Sequence, residues 1–449
     1  MDPQQLSTRA NTFPSVLDAE VLNERGKHLG FATRERLITP CRLGLSVTAS
    51  LATQPVQTIA DVHRQFNEWW PRDTDDNAFS KQRRTSTAPE CFLNSLSHIM
   101  RQLTMKVLGC EAGAAFSAFN RLILHDGSSF ALHKALADVF PGRFPAVSPA
   151  AVALPWTLDV LQDAPLTLAL SPDTAAEHDD RPEPERLRGA LLLADRGDLD
   201  LTYLRDLERH GGSCMMRSKS NLNPRGIDAS REDGQRLTSC QDRDVQAIIS
   251  QFPQQQRAEL AVEWLIEGEP FRVRLMVRWN PETKCFDYLV TNLPQDRSTI
   301  SMICVADKLR WQGELLLKEW KSSTNLHKCD TEKATMSEAF IWAALAASAR
   351  KRLLAHAAEH LLEVVLSTRK ASMPSAYDVP ELFRALRYGD GPWYRRAFEA
   401  MLAYLGKNAK RAHPERDSRT GRSRLGLKPI FQLSDQQELK DDCEQPAAA

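Results

Sequence analysis

The sequence predicts an α/β protein: a sheet flanked by helices, with a strand-rich insertion and helical regions at both ends. Three features predict it. Apolar stripes at helical spacing occupy the first 115 or so residues, short apolar runs that stop at aspartate follow, and three strand-like segments near residues 260–291 precede a return to helical, alanine-rich sequence.

The chain has 449 residues with 42% apolar content, enough for two or three packed units. Its 58 Lys and Arg balance 58 Asp and Glu. Such balance excludes a protein whose entire surface attracts polyanions, so any nucleic-acid contact must rest on local clusters of Lys and Arg and on bound cations. Nine cysteines form no CxxC pair, the N-terminus lacks a basic stretch leading into an apolar run, and the apolar segment Ile341 to Ala349 is short and soon followed by Arg350, Lys351 and Arg352. These features fit a soluble protein of the reducing cytoplasm, without structural zinc or membrane contact.

Helices are expected at Pro14 to Arg25, at Thr58 to Trp70 with Ile59, Val62, Phe66 and Trp69 on one stripe, and at Pro89 to Leu108 with Phe92, Leu96, Ile99 and Leu103 on another. With the basic segment Lys81 to Arg84 between the last two, this region is compatible with a helix-turn-helix-like DNA-binding unit or with a plain packing domain. Leu122-Ile123-Leu124 reads as a buried strand stopped by His125-Asp126-Gly127-Ser128-Ser129, and His133 to Phe140 as a short helix. Ala151 to Leu161 and Ala164 to Leu170 read as paired strands, and Ser171 to Arg188 as a charged surface connection. Ala190 to Ala194 is a compact apolar strand delivering Asp195 at its C-terminal end; a helix from Leu199 to Arg209 and a strand at Ser213 to Arg217 follow.

Ser220 to Gln256 is polar and is expected to be irregular. Strands follow at Leu260 to Leu265, Phe271 to Trp279 and Cys285 to Thr291; the middle one sets Arg272, Arg274 and Arg278 on one face, which suits either a phosphate backbone or a solvated sheet. Ser298 to Ser322 reads as helix, then Thr335 to Leu362, Val379 to Arg387 and Pro392 to Leu405. Lys407 to Lys428 is a basic tail.

Carboxylates at strand exits are candidates for holding hard divalent cations, because a rigid core aims them and oxygen donors suit magnesium or manganese. Asp126 and Asp195 stand in such places. On the expected helix, offsets of 3, 4 and 7 put Asp307, Arg310, Glu314 and Lys321 on one side, with Leu309, Leu316 and Val305 packed. Aspartate in a turn is also ordinary turn chemistry, and charges at helical spacing are also ordinary solvated surface. Trp264 or Trp279 suits stacking on a base or, more simply, packing, and Trp311 and Trp320 should pack beneath the helix.

Two blocks bring these residues together. Leu191-Leu192-Leu193-Ala194-Asp195-Arg196-Gly197 with Met216-Arg217-Ser218-Lys219-Ser220-Asn221, and Thr291-Asn292-Leu293-Pro294 with Lys308-Leu309-Arg310-Trp311-Gln312-Gly313-Glu314-Leu315-Leu316-Leu317-Lys318-Glu319-Trp320-Lys321-Ser322, resemble the second-aspartate and glutamate blocks of the DDE transposases with an RNase H-like core, in the bacterial branch called insertion sequence four. A looser first-aspartate block runs from His125-Asp126-Gly127-Ser128-Ser129-Phe130 to Phe140-Pro141-Gly142-Arg143-Phe144, and the resemblance spans roughly residues 30 to 365. The family's glutamate block carries Tyr, Arg, Glu and Lys with two, three and six residues between them; this chain has Asp307 at the tyrosine position, an anion that should repel phosphate.

The resemblance implies an RNase H-like mixed sheet and an enzyme that binds terminal inverted repeats, nicks them to a 3′ hydroxyl and joins that hydroxyl to target DNA, in some members through a hairpin. It implies Asp126, Asp195 and Glu314 as catalytic ligands of two Mg2+ or Mn2+ ions, with Arg310, Lys321, Lys308, Arg196 and Lys219 on double-stranded DNA, and a DNA-bound homodimer. The corresponding division is residues 1–115 as a DNA-binding region, 116–220 as the first part of the core, 221–297 as the insertion, 298–330 as the glutamate helix, 331–406 as helices for dimerisation or core completion, and 407–449 as a tail. A nuclease of the same fold without strand transfer, and a transposase-derived DNA-binding protein, remain alternatives.

Overall fold

The computed structural model describes residues 19–31, 37–52, 59–70, 79, 87–106, 110–111, 116–161, 164–175, 180–195, 197, 199–219, 221, 223–231, 234–237, 242–250, 252, 257–296, 298–324, 326, 331–362, 364, 366–367, 370–371, 375–388, 391–410 and 428–429. Helical periodicity at the start yields α1 (Ala19–His28), α2 (Pro40–Ala52), α3 (Ile59–Trp69) and α4 (Ala88–Lys106). Then come β1 (Cys110–Glu111), β2 (Arg121–Ala131), β3 (Ala151–Asp159), β4 (Ala164–Leu168), β5 (Ser171–Pro172), β6 (Ala190–Ala194), α5 (Leu201–Arg209) and β7 (Ser213–Ser218). The insertion holds β8 (Arg225–Arg231), β9 (Arg243–Asp244), α6 (Val245–Ile249), β10 (Arg257–Ile266), β11 (Glu269–Asn280) and β12 (Cys285–Thr291). Helix α7 (Ile300–Ala306) passes through a 3-10 turn, Asp307–Arg310, into α8 (Trp311–Ser323), followed by α9 (Ala334–Leu362), α10 (Ser375–Arg387), α11 (Gly391–Asn408) and β13 (Lys428–Pro429), which pairs with β1.

Apart from the β1–β13 pair, the described strands form one mixed sheet in the order β4-β3-β2-β6-β7-β12-β11-β10-β8-β9, with β5 beside β3. Only β2–β6 and β6–β7 are parallel pairs among the described strands. A parallel return needs a crossover, and α5 supplies it between β6 and β7. Its N-terminal amides are capped by Asp200, whose carboxylate accepts from the backbone N–H of Thr202 at 2.9 Å and Tyr203 at 3.3 Å.

Strand alternation sorts the central residues onto two faces. Leu122 and Leu124, Leu191 and Leu193, and Met215 join the larger core, whereas Ile123, Leu192, Ala194, Cys214 and Met216 join a second core beneath α5 and α6. The larger core also takes Leu43, Phe66 and Leu96 from the N-terminal helices and a nearly continuous buried run, Ala339 to Ala347, from α9. Helix α9 is apolar almost all round at that point because it is covered on all sides. Among the described residues no helix is long and apolar enough to cross a membrane.

The α/β class, the three insertion strands and the terminal helices match the sequence expectations, but several local readings change. Beta-strand β2 does not stop at Leu124: it runs to Ala131, because β3 continues to pair with it from Ile123↔Asp159 to Ala131↔Ala151. The expected helix at His133 to Phe140 is only a 3-10 turn, Lys134–Leu136. Within the polar stretch expected to be irregular, β8 pairs with β10 and extends the sheet. Helix α2 was not singled out, and the helix through Asp307 tightens to 3-10 geometry before α8. All of Lys81 to Arg84 and most of the basic tail lie outside the described residues.

Candidate active site

Parallel register aligns the two aspartates. Beta-strands β2 and β6 pair from Arg121↔Ala190 to Leu124↔Leu193; carried two residues further, the same register sets Asp126 across from Asp195, at the ~4.8 Å spacing of neighbouring strands. The β6–β7 register, Leu191↔Ser213 to Ala194↔Met216, likewise sets Arg217 across from Asp195. All three residues continue the parity of Leu122, Leu193 and Met215, and so fall on the face of the larger core, at its margin.

Glu314 comes from above, on the first turn of α8. What allows α8 to lie this close is Gly313: a Cβ there would stand 2.5 Å from Cη2 of Trp156, 2.9 Å from its Cζ2 and 3.0 Å from Cδ2 of Leu124. The helix therefore rests backbone-first on β2 and β3. Trp320 anchors the next turns by meeting Trp156 edge to face at 6.0 Å, and Leu309 and Leu316 are buried as expected. The side chains of Val305 and Trp311 lie outside the described set.

Arg310 occupies the centre. Its Nε lies 3.7 Å from Asp195 Oδ1 and its Nη2 3.7 Å from Glu314 Oε1. Both Arg310 Nε and Asp195 Oδ1 are buried without a hydrogen bond, so the two meet only as an ion pair. Burial pushes the Asp126 carboxyl up to about 6; the Gly127 amide and Arg310 oppose this, while the charges of Asp195 and Glu314 add to it. At the far end of α8, Lys321 Nζ donates to Ser128 Oγ at 2.8 Å, so the Glu314–Lys321 side of the helix follows the Asp126–Ser128 side of β2. A cleft of about 250 Å³ adjoins the two aspartates, lined by His125, Asp126, Ser128, Arg143, Asp180 and Asp195 among others, but not by Arg310, Glu314 or Lys321.

The structure thus brings Asp126, Asp195, Glu314, Arg310 and Lys321 to one margin of the sheet. Among the described residues, however, no three His, Cys, Asp or Glu side chains stand close enough to share a metal ion. Arg310 lies 3.7 Å from both Asp195 and Glu314, so its guanidinium occupies space beside their carboxylates. Lys219 is exposed just past β7; Arg196 and the side chain of Lys308 lie outside the described residues. His125, buried at 2% exposure, points to the other face, where burial and then Arg181 hold its pKa down to about 4.

Sequence reading missed Arg217, though counting one residue past the apolar stretch of β7, as was done for β6, finds it. The structure also revises Asp307. Rather than facing solvent as an anion, it is buried and holds Arg217 by two hydrogen bonds of 2.9 Å each and Arg278 at 3.3 Å. Burial pushes its carboxyl up, yet the bonds from Arg217 and the charges of Arg217, Arg278 and Arg310 leave it below the usual range. The supposed cationic face of β11 is likewise neutralised: Arg272 pairs with Glu263, Arg274 with Glu259 and Arg278 with Asp287. Trp279 packs on Phe286, and Trp264 against the second core, so both tryptophans have structural work.

Comparison with known proteins follows the same residues. Residues 161–349 match the family model of the transposase DDE domain, a span that includes Asp195 and Glu314 and begins after Asp126. The transposase for insertion sequence element IS1151 of Clostridium perfringens is 19% identical over 389 residues, 77% of this chain and 80% of that protein. The cryo-EM structure of a piggyBac transposase synaptic complex with hairpin DNA aligns with 12% identity and a TM-score of 0.47, over 88% of this chain and 85% of that one. The family match over residues 161–349, and the α/β sheet on which its residues lie, support a DDE-transposase-like, RNase H-like domain within the chain.

Proposed function

We propose that the chain is a transposase of the insertion sequence four branch that cuts DNA at the terminal inverted repeats of its element and joins the freed 3′ hydroxyl to target DNA. The observation that supports this most is the convergence of Asp126, Asp195 and Glu314, from three separate elements, around Arg310. Their oxygens are the hard donors that magnesium or manganese prefers, and Asp195 Oδ1 is buried with no hydrogen bond, facing Arg310 only across a 3.7 Å ion pair. Such ions, when bound, would activate the attacking oxygen and neutralise charge on the leaving one.

The chain's own residues supply the rest. The three acids would hold the ions, on elements fixed by Trp156, Leu124 and the β2–β6 pairing. Arg310 balances their charge when no metal is bound and, with Lys321, grips backbone phosphates on either side of the scissile bond. Lys308, Lys219 and Arg196 add contacts further along the duplex. Residues 1–115 bind the repeat, and the helices of 331–406 join two copies, since two element ends need two active sites.

Purified protein with duplexes carrying the element's ends and Mg2+ or Mn2+ should cut at those ends, and Asp195→Ala should not. Equal cleavage by both defeats the assignment. Cut ends that never become joined to a target would instead mark a nuclease of the same fold.

A further inference from the structure

Asp307 stands where the glutamate-block pattern that this sequence resembles has tyrosine, and its surroundings differ from those of a lone anion at a DNA channel. In a 3-10 turn, residues three apart lie above one another, so Asp307 shares the sheet-facing side of the turn with Arg310. Below it, Arg217 on β7, Asp287 on β12 and Arg278 on β11 lie on one sheet face, with Arg217 paired in register with Leu289 and Arg278 with Asp287. Asp307 accepts from Nε and Nη2 of Arg217 at 2.9 Å and from Nη2 of Arg278 at 3.3 Å; Arg278 Nη2 also donates to Asp287 at 2.9 Å, and Asn280 to Asp287 at 3.2 Å. Two arginines and two aspartates thus balance, and the buried carboxylate is fully satisfied. Arg217 remains partly exposed, at 27%, and its Nη1 edge is not engaged by Asp307.

We propose that Asp307 is a positioning residue: it clamps Arg217 beside Asp195 in a two-point grip, so that the outer edge of that guanidinium is presented to a phosphate of the DNA strand at the active site. This rests on the transposase reading. It reverses the sign expected from sequence, because an anion that fixes a phosphate donor strengthens the grip on DNA instead of weakening it. A bidentate fork also fixes the plane of the guanidinium, which a single hydrogen bond from a phenol would leave free to turn.

The test is equilibrium binding of a duplex ending in the inverted repeat, measured without divalent ions across a salt series. Asp307→Asn should weaken binding about tenfold, a typical coupling for a charged pair, and lower the slope of log affinity against log salt by about one, the signature of a lost phosphate contact. Arg217→Ala should do the same, the double variant should be no worse than either, and Asp307→Glu should recover part of the loss. Arg217→Lys, which keeps the charge but not the fork, serves if Asp307→Asn fails to fold, and should also weaken binding. Tighter binding by Asp307→Asn, or additive losses in the double variant, overturns the proposal. Absence of binding by the unaltered protein defeats the transposase reading itself.

Discussion

Replacing Gly313 by alanine should disable the site without touching a carboxylate. The added Cβ would lie 2.5 Å from Cη2 of Trp156, whereas carbon atoms rest at about 3.5–4 Å, so ring and helix must part by roughly 1 Å. Trp156 cannot give way easily: it is 1% exposed and wedged against Trp320. Overpacking of this kind costs about 1–3 kcal/mol, offset by up to ~1 kcal/mol because alanine favours helix over glycine. The net loss in urea unfolding should thus be about 1–2 kcal/mol. Cleavage should suffer far more. Glu314 is the next residue, and displacement by about 1 Å of a group that must meet two others lowers rate by on the order of a hundredfold. Trp156→Phe in the same chain makes room for the methyl and should restore part of the rate. A Gly313→Ala protein that cuts terminal-repeat DNA at the unaltered rate, at the same Mn2+ concentration, refutes the close-approach argument.

Gly44, inside α2, has nothing within 4 Å of an added Cβ, so Gly44→Ala should stabilise the protein by roughly 0.5–1 kcal/mol with cleavage unchanged. Glu319 and Arg352 form a buried pair at 3.2 Å; Glu319→Ala should cost about 3–5 kcal/mol in chemical denaturation, and Glu319→Leu with Arg352→Met should recover most of it. Burial lowers the Lys351 pKa from 10.5 to about 8, with Glu319 opposing, so the folded chain sheds a proton that the unfolded chain keeps and this group adds stability as pH rises from 8 to 10.5. The gain is on the order of 3 kcal/mol, and Lys351→Met should remove that slope from the difference between the two proteins' stability profiles. EDTA should abolish cleavage yet leave the melting temperature unchanged, whereas Mn2+ at ten times its Kd should stabilise by about 1.4 kcal/mol in the unaltered protein and not in Asp195→Ala.

What the sequence makes legible depends on how local the cause is. Leu191 to Ala194 is buried on both faces, and a strand of that kind announces itself by unbroken apolarity, so Asp195 at its exit is found directly. The strand before Asp126 is legible too, but not its end: it continues because β3 pairs alongside it, and no residue of β2 reports that partner. Beta-strand β8 has little apolar content, its place being set by backbone pairing with β10. Asp307 illustrates the limit most sharply. Its spacing from Arg310 is visible in the chain, but the two arginines that neutralise it come 90 and 29 residues away, from strands whose order no local pattern reveals.

Beta-strand β2 has one edge bound in parallel to β6 and the other antiparallel to β3. Its residues are therefore counted twice, like a page ruled from both margins. Adding or deleting one residue between Leu122 and Asp126 would rotate that carboxylate to the opposite side of the sheet, toward α5, while every hydrogen bond could still be made. Descendants of this chain can lengthen the connection between β2 and β3, or the polar segments of the insertion, but those five positions must keep their number even where their identities drift.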